Sequence, residues 1–232
     1  TLFPYTTLFR SEHNNLLVLR NSAVHNTPLL HSLDVSHCMI YIINNNALCG
    51  FHNLNTLDLC FNCIIMFSAG TFRDLKQLKW LNLGYNSLKA LSPRAFQGLS
   101  QLANMMLTDL SLSQLEEHVF HSLNSLKKLD TSRSNIRHLY GKSFQGLYDL
   151  IVLNMTGAQL GRIESSFFEH LPNLQVFYSD DERLCCLTSP QLKCQPERGE
   201  GPRCAHKLRF FASLRMTATS GCGFETPFSF EV

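Results

Sequence analysis

Three residue types in this chain have spacings that could do chemistry. The first is cysteine. "ERLCCLTSPQLKC" (182–194) sets Cys185 beside Cys186, with Cys194 a short loop on and Cys204 beyond it. Neighbouring cysteines close on each other only through a strained ring, so two separate bridges starting from one point are the expected chemistry. "CFNC" places Cys60 three residues before Cys63. Zinc or dithiol redox work would want that pair on a loop or helix turn with a second ligand pair near it. Cys38 and Cys49 supply no close second pair, and substitution within a structural pattern is the better reading. The second type is histidine: "HVFH" brings His118 near His121, read as surface histidines. The third is the amide of Asn154, in the chain's one N-glycosylation sequon, Asn154-Met155-Thr156. No G-x-S-x-G, no phosphate-cradling glycine loop and no H-E-x-x-H occurs. The expectation is a binding module with no catalytic residue, no metal and no cofactor.

The totals narrow the class. A length of 232 residues suits one sizeable domain with an appendage. Net charge is +2, with 16% charged residues, which is no broad electrostatic footprint for nucleic acid. Nine cysteines point to an oxidising, extracellular setting, and the odd number leaves one thiol over. No apolar run reaches the roughly 18 residues a membrane span needs, and no signal peptide is visible.

The elements that would position these residues are written in a repeat. "LKWLNLGYNSL" (78–88) has the form L-x-x-L-x-L-x-x-N-x-L, and its second apolar position recurs at Leu33, Leu57, Leu81, Met105, Leu129, Leu153 and Phe177. Each step is 24 residues. A second ladder runs Phe72, Phe96, Phe120, Phe144 and Phe168, and a third Leu75, Leu99, Leu123, Leu147 and Leu171. Three ladders in phase predict an α/β leucine-rich repeat solenoid, a horseshoe with a parallel β-sheet on its concave face and a C-terminal cysteine cap. In each coil the L-x-L segment is a strand whose leucines point inward. The F-x-x-L part closes the convex side. The consensus Asn position reads Cys38, Asn62, Asn86, Leu110, Ser134, Ala158 and Glu182, which predicts irregularity around Leu110 and Ala158. "LLVLRNSAV" (16–24) looks like one more strand unit, set only 16 residues before the next.

The concave face is the expected binding surface. Its central column is Asp34, Asp58, Asn82, Met106, Asp130, Asn154 and Tyr178. The column before it runs Ser32, Thr56, Trp80, Asn104, Lys128, Val152 and Val176, and past the strand come His37, Phe61, Tyr85, Asp109, Arg133 and Asp181. Aromatic anchors beside charged groups are what protein interfaces use. The candidate ligand-binding residues are therefore Asp34, Asp58, Phe61, Trp80, Asn82, Tyr85, Asp130 and Arg133. A glycan on Asn154 would push a ligand toward the earlier coils.

Four segments result. Residues 1–11, "TLFPYTTLFRS", match a translated sequencing adapter letter for letter and are set aside, which places the true N-terminus outside this sequence. Residues 12–184 are the repeats. Residues 185–204 form a cysteine-rich cap or hinge over the last coil, with Cys185, Cys186, Cys194 and Cys204 as its bridging residues and their pairing open. Residues 205–232 form a Gly/Arg/Ser/Thr-rich tail, expected to be disordered or mistranslated.

The cap carries a resemblance. The N-P-x-x-C-x-C flank usual in secreted and Toll-type repeat proteins is absent. Instead "LQVFYSDDERLCCLTSPQLKCQPE" (174–197) resembles the hinge of leucine-rich-repeat G protein-coupled receptors, nearest to relaxin-receptor-like proteins of invertebrate type. The resemblance covers about residues 30–197. It implies a peptide or protein hormone bound by acidic and Trp contacts on the concave face. It also implies a plasma-membrane protein with this region outside, and a transmembrane domain, missing from this sequence, that acts on a G protein. No nucleic-acid partner is expected. A secreted or single-span recognition and adhesion protein is the alternative.

Overall fold

A computed structural model of the chain describes residues 8–11, 14, 16–19 and 29–185. Short strands follow the repeat. In chain order they are β1 (Leu8–Arg10), β2 (Val18–Leu19), β3 (Ser32–Asp34), β4 (Ile42–Ile43), β5 (Thr56–Asp58), β6 (Trp80–Asn82) and β7 (Asn104–Met106). They continue as β8 (Gln114–Leu115), β9 (Lys128–Asp130), β10 (His138–Leu139), β11 (Val152–Asn154), β12 (Arg162–Ile163) and β13 (Val176–Tyr178).

Eight of them form one parallel sheet in the order β1-β3-β5-β6-β7-β9-β11-β13. The register is the repeat made physical: Leu33 lies opposite Leu57, Leu57 opposite Leu81, and Leu153 opposite Phe177. The middle residue of each three-residue strand from β3 to β13 is buried while its neighbours are half-buried or exposed. Strand period sends alternate side chains to opposite faces, so one residue in each three-residue strand enters the core. No coil has a core of its own; the buried residues form one continuous cluster from Leu19 to Leu184.

The phenylalanine ladder closes the far side. Phe72, Phe96, Phe120 and Phe144 are fully buried, with successive centroids 6.3, 5.9 and 5.6 Å apart and rings nearly parallel. On the sheet side, equivalent rings stack at 4.1–4.4 Å. Coils stand further apart on the phenylalanine side, so the solenoid curves with its sheet inside.

Three features depart from the sequence expectation. Leu8–Arg10, in the segment set aside, pairs in parallel with β3, with Phe9 opposite Leu33. The edge of a parallel sheet offers unpaired N–H and C=O groups that a correctly patterned extended segment can fill. In the unit at 16–24, Val18–Leu19 pairs with Ile42–Ile43 on the flank and not with the main sheet. At the C-terminal end the ladder slips by one. Ser165–His170 wind as a 3₁₀ helix, and Phe167, fully buried, meets Phe144 edge-on at 5.0 Å. Phe168 packs instead between Phe167 and Phe177.

The expected irregularity is also absent from the sheet, where β7, β9 and β11 keep register across Leu110 and Ala158. Leu110 is buried and fills with hydrocarbon the position that Asn86 fills with an amide and Ser134 with a hydroxyl. The last described element is a short helix, α1 (Glu182–Cys185), in which Leu184 is buried. Cys186, Cys194 and Cys204 lie outside the described residues, and with them the cap pairing.

Candidate functional site: the strand-exit ladder

Where each strand leaves the sheet, the backbone turns sharply. Five non-glycine residues at this point, His37, Phe61, Tyr85, Asp109 and Arg133, hold φ between 50° and 55°. Left-handed backbone costs a side-chain-bearing residue on the order of 1–3 kcal/mol and persists only where its surroundings fix it. Here the next coil fixes it. His37 N–H donates to Cys60 O, Phe61 N–H to Gly84 O, Tyr85 N–H to Thr108 O, Asp109 N–H to Ser132 O, and Arg133 N–H to Thr156 O, at 2.8–3.1 Å.

Two further ladders hold the turn. The consensus-Asn residues reach back to a carbonyl 27 residues earlier: Asn62 to Val35, Asn86 to Leu59, Ser134 to Leu107, and the Cys38 thiol to Ser11. Asn62 Oδ1 also accepts from Cys38 N–H and Ile40 N–H at 2.9 Å. The central column does the second part. Asp34, Asp58, Asn82, Asp130 and Asn154 each accept, through Oδ1, the N–H two residues on, at 2.9–3.1 Å. These are Asx turns. The three aspartates of the proposed ligand face thus first brace their own backbone through Oδ1, which leaves their second oxygens for other partners. Two of those oxygens are engaged: Asn82 Nδ2 donates to Asp58 at 3.5 Å and Asn154 Nδ2 to Asp130 at 3.0 Å. Burial lifts the Asp58 carboxyl above its ordinary range, against the pull of the Cys60 thiol and N–H, with the charge of Asp34 adding to the rise.

The side chains that these turns hold out form a continuous surface. His37 stacks on Phe61 at 4.4 Å and Phe61 on Tyr85 at 4.1 Å, with ring planes within 9° of parallel. Parallel strands lie roughly 4.8 Å apart, so rings repeated every coil meet near van der Waals contact. The Arg133 guanidinium lies 5.5 Å from the centre of the Tyr85 ring and donates to the Tyr85 hydroxyl and to Asp109. Burial raises the Tyr85 phenol, with Arg133 opposing, so that hydroxyl stays protonated.

Of the eight candidate residues, the structure gathers Phe61, Tyr85 and Arg133 into this ladder. It sets Asp34, Asp58 and Asn82 side by side on the adjacent strands, and Asp130 against Asn154. Trp80 stands half-buried on β6, in register between Thr56 and Asn104. His37 and Asp109 complete the ladder and were not among the eight; their signal was membership of the same 24-residue column.

The remaining motifs resolve differently. Cys60 is buried and Cys63 exposed. Burial and the neighbouring Asp58 push the Cys60 thiol up, so it is held neutral, the opposite of what metal binding or redox exchange needs. His118 and His121 sit edge-to-face at 6.0 Å on the outer side. Among the described residues no helix is long and apolar enough to cross a membrane.

A leucine rich repeat family model matches residues 52–109 and 100–160. The fold is a leucine-rich repeat solenoid. No curated protein matches it significantly. Among solved structures, the solenoid is similar to a chain in the crystal structure of a TLR13–ssRNA13 complex, with 30% sequence identity and a TM-score of 0.67. The match covers 71% of this chain and 24% of that one. The solenoid therefore spans about a quarter of the length of that protein.

Proposed function

We propose that this solenoid is the extracellular ligand-binding region of a plasma-membrane receptor. It would take a peptide or protein hormone across its concave face and act on a G protein through a transmembrane domain missing from this sequence. The observation that carries the binding reading is the preorganised ladder from His37 to Arg133, flanked by Trp80 and by the outward carboxylates of Asp34, Asp58 and Asp130. Rigid aromatics bind at low entropic cost, because their rings are already ordered. The hinge resemblance at 174–197 supports the receptor context. Asn154 is the proposed glycan acceptor, and modification would replace one of the two hydrogens of the amide that now donates to Asp130.

Single-stranded RNA is the competing ligand class, because the similar structure is a complex with ssRNA. Two features weigh against it here. The central column carries three carboxylates, which oppose phosphate. The ring faces at Phe61 are occupied by His37 and Tyr85, which leaves bases no face to stack on there. Panning a displayed peptide library on the immobilised chain, with an RNA oligonucleotide pool in parallel, separates the two. Basic peptides that lose binding to a Trp80→Ala chain support the proposal. RNA capture that falls steeply with salt, with no peptide enriched, contradicts it.

A further inference from the structure

On the flank beyond the consensus-Asn turn, side chains again align at 24-residue intervals. In the first three coils these columns are apolar and open to solvent. Leu17, Tyr41 and Ile65 share one column and Ile42 and Met66 the next, with Met39 beside them. Met66 is 61% exposed and Met39 55%. The backbone beneath is ordered by the β2–β4 pairing and a bridge from Ile42 to Met66. From the fourth coil onward the same columns lose their large apolar side chains and gain cations: Lys89, Ser113 and Arg137 follow Ile65, and Ala90, Gln114, His138 and Arg162 follow Met66. The apolar area therefore ends at a definite coil. Exposed apolar patches of this kind mark interaction sites.

We propose that this flank is an interface with a second copy of the same chain. Charge selects that occupant. The patch, and the Asn44–Asn46 and Ser68 side chains bordering it, hold no group charged at neutral pH. Such a surface can meet its own image without opposing like charges. The next coils, with Lys89 and Arg137, cannot. A partner recruited by charge finds nothing to hold here. Shape points the same way. Met39 and Met66 project, and a groove of about 460 Å³ opens beside Met66 between Ile42, Asn46 and Phe67. Knob and hole occupy one patch, which is what an isologous two-fold contact needs, and such a contact closes at two copies. The unbranched thioether of methionine adapts to such a groove.

Cys63, exposed in the Met39 column, gives the contact a chemical reporter. Sedimentation velocity on the 232-residue chain, with Cys63→Ser to remove any simple disulfide dimer, is expected to show a monomer–dimer equilibrium. Adding Met66→Glu is expected to weaken it about tenfold or more with far-UV circular dichroism unchanged, and adding Ile65→Lys to do the same. A monomer at every concentration overturns the proposal, as does a dimer that neither folded variant weakens. On the wild-type chain, a short bis-maleimide should link Cys63 to Cys63 between copies. Cross-links that avoid Cys63 also overturn it, and this reading needs no destabilising substitution.

Discussion

At the scale of single residues, one set of side chains on the concave face braces the backbone and, in the proposed function, also meets the ligand. An Asp or Asn in the central column must accept its own i+2 N–H before it can meet a ligand. Asn satisfies that duty as well as Asp, as Asn82 and Asn154 show. Asp58→Asn therefore keeps the turn and removes a charge that burial disfavours. The sign follows from the raised folded-state pKa. Stability tied to this carboxyl is complete below its unfolded pKa and is lost as pH rises through the folded value. Thermal melts should show Asp58→Asn matching wild type in acid and exceeding it at pH 7; a variant less stable at pH 7 would contradict the assignment. The Asn ladder makes the opposite prediction. Asn86 donates to three carbonyls and accepts from Ile64 N–H, all buried. Asn86→Ala should cost at least about 2 kcal/mol in urea unfolding, because several backbone groups lose their partner together. The Asx duty was legible in principle, since five of seven residues in that column are Asp or Asn. A column of acids invites a ligand reading first, and only the hydrogen bonds separate the two roles.

At the scale of elements, the repeat is a set of short strands that are stable only together. Phe120 stacks between Phe96 and Phe144 and is fully buried. Phe120→Ala should destabilise by about 3–5 kcal/mol, measured in the same unfolding experiment. Coil-to-coil approach sets a second constraint. Gly98 has φ +103°, and a Cβ there would stand 2.5 Å from the Arg73 Cα. Gly98→Ala should lower the melting temperature, whereas Gly50→Ala, with nothing within 4 Å of the added carbon, should carry the backbone cost alone. A larger loss at Gly50 would contradict the packing described. The strand positions were legible because every inward residue recurs after 24. The slip at Phe167 was not, because the 24-residue count leads to Phe168. The winding of Ser165–His170 into a 3₁₀ helix decides which ring faces the core. The pairing of Leu8–Arg10 is not legible for another reason: an edge accepts any strand of the right pattern, whatever the origin of the segment.

At the scale of the whole molecule, curvature brings the strand-exit columns together on the inner side. That placement turns five separated residues, from His37 to Arg133, into one surface spanning four coil steps, about 19 Å at sheet spacing. Their spacing showed that they share a column. It did not show that ring would stack on ring or that Arg133 would reach Tyr85 across Asp109, because Phe61, Tyr85 and Arg133 are not residue types that mark the left-handed turn that aims them. The central claim is that this inner surface binds a polypeptide. Hydrogen–deuterium exchange on the chain, with and without a peptide selected for binding, tests it most directly. The account predicts added protection at the strand exits from His37 to Arg133 and across Thr56–Asp58 and Trp80–Asn82, with the phenylalanine side unchanged. Protection confined to the phenylalanine side, or to the flank around Met66, would contradict it.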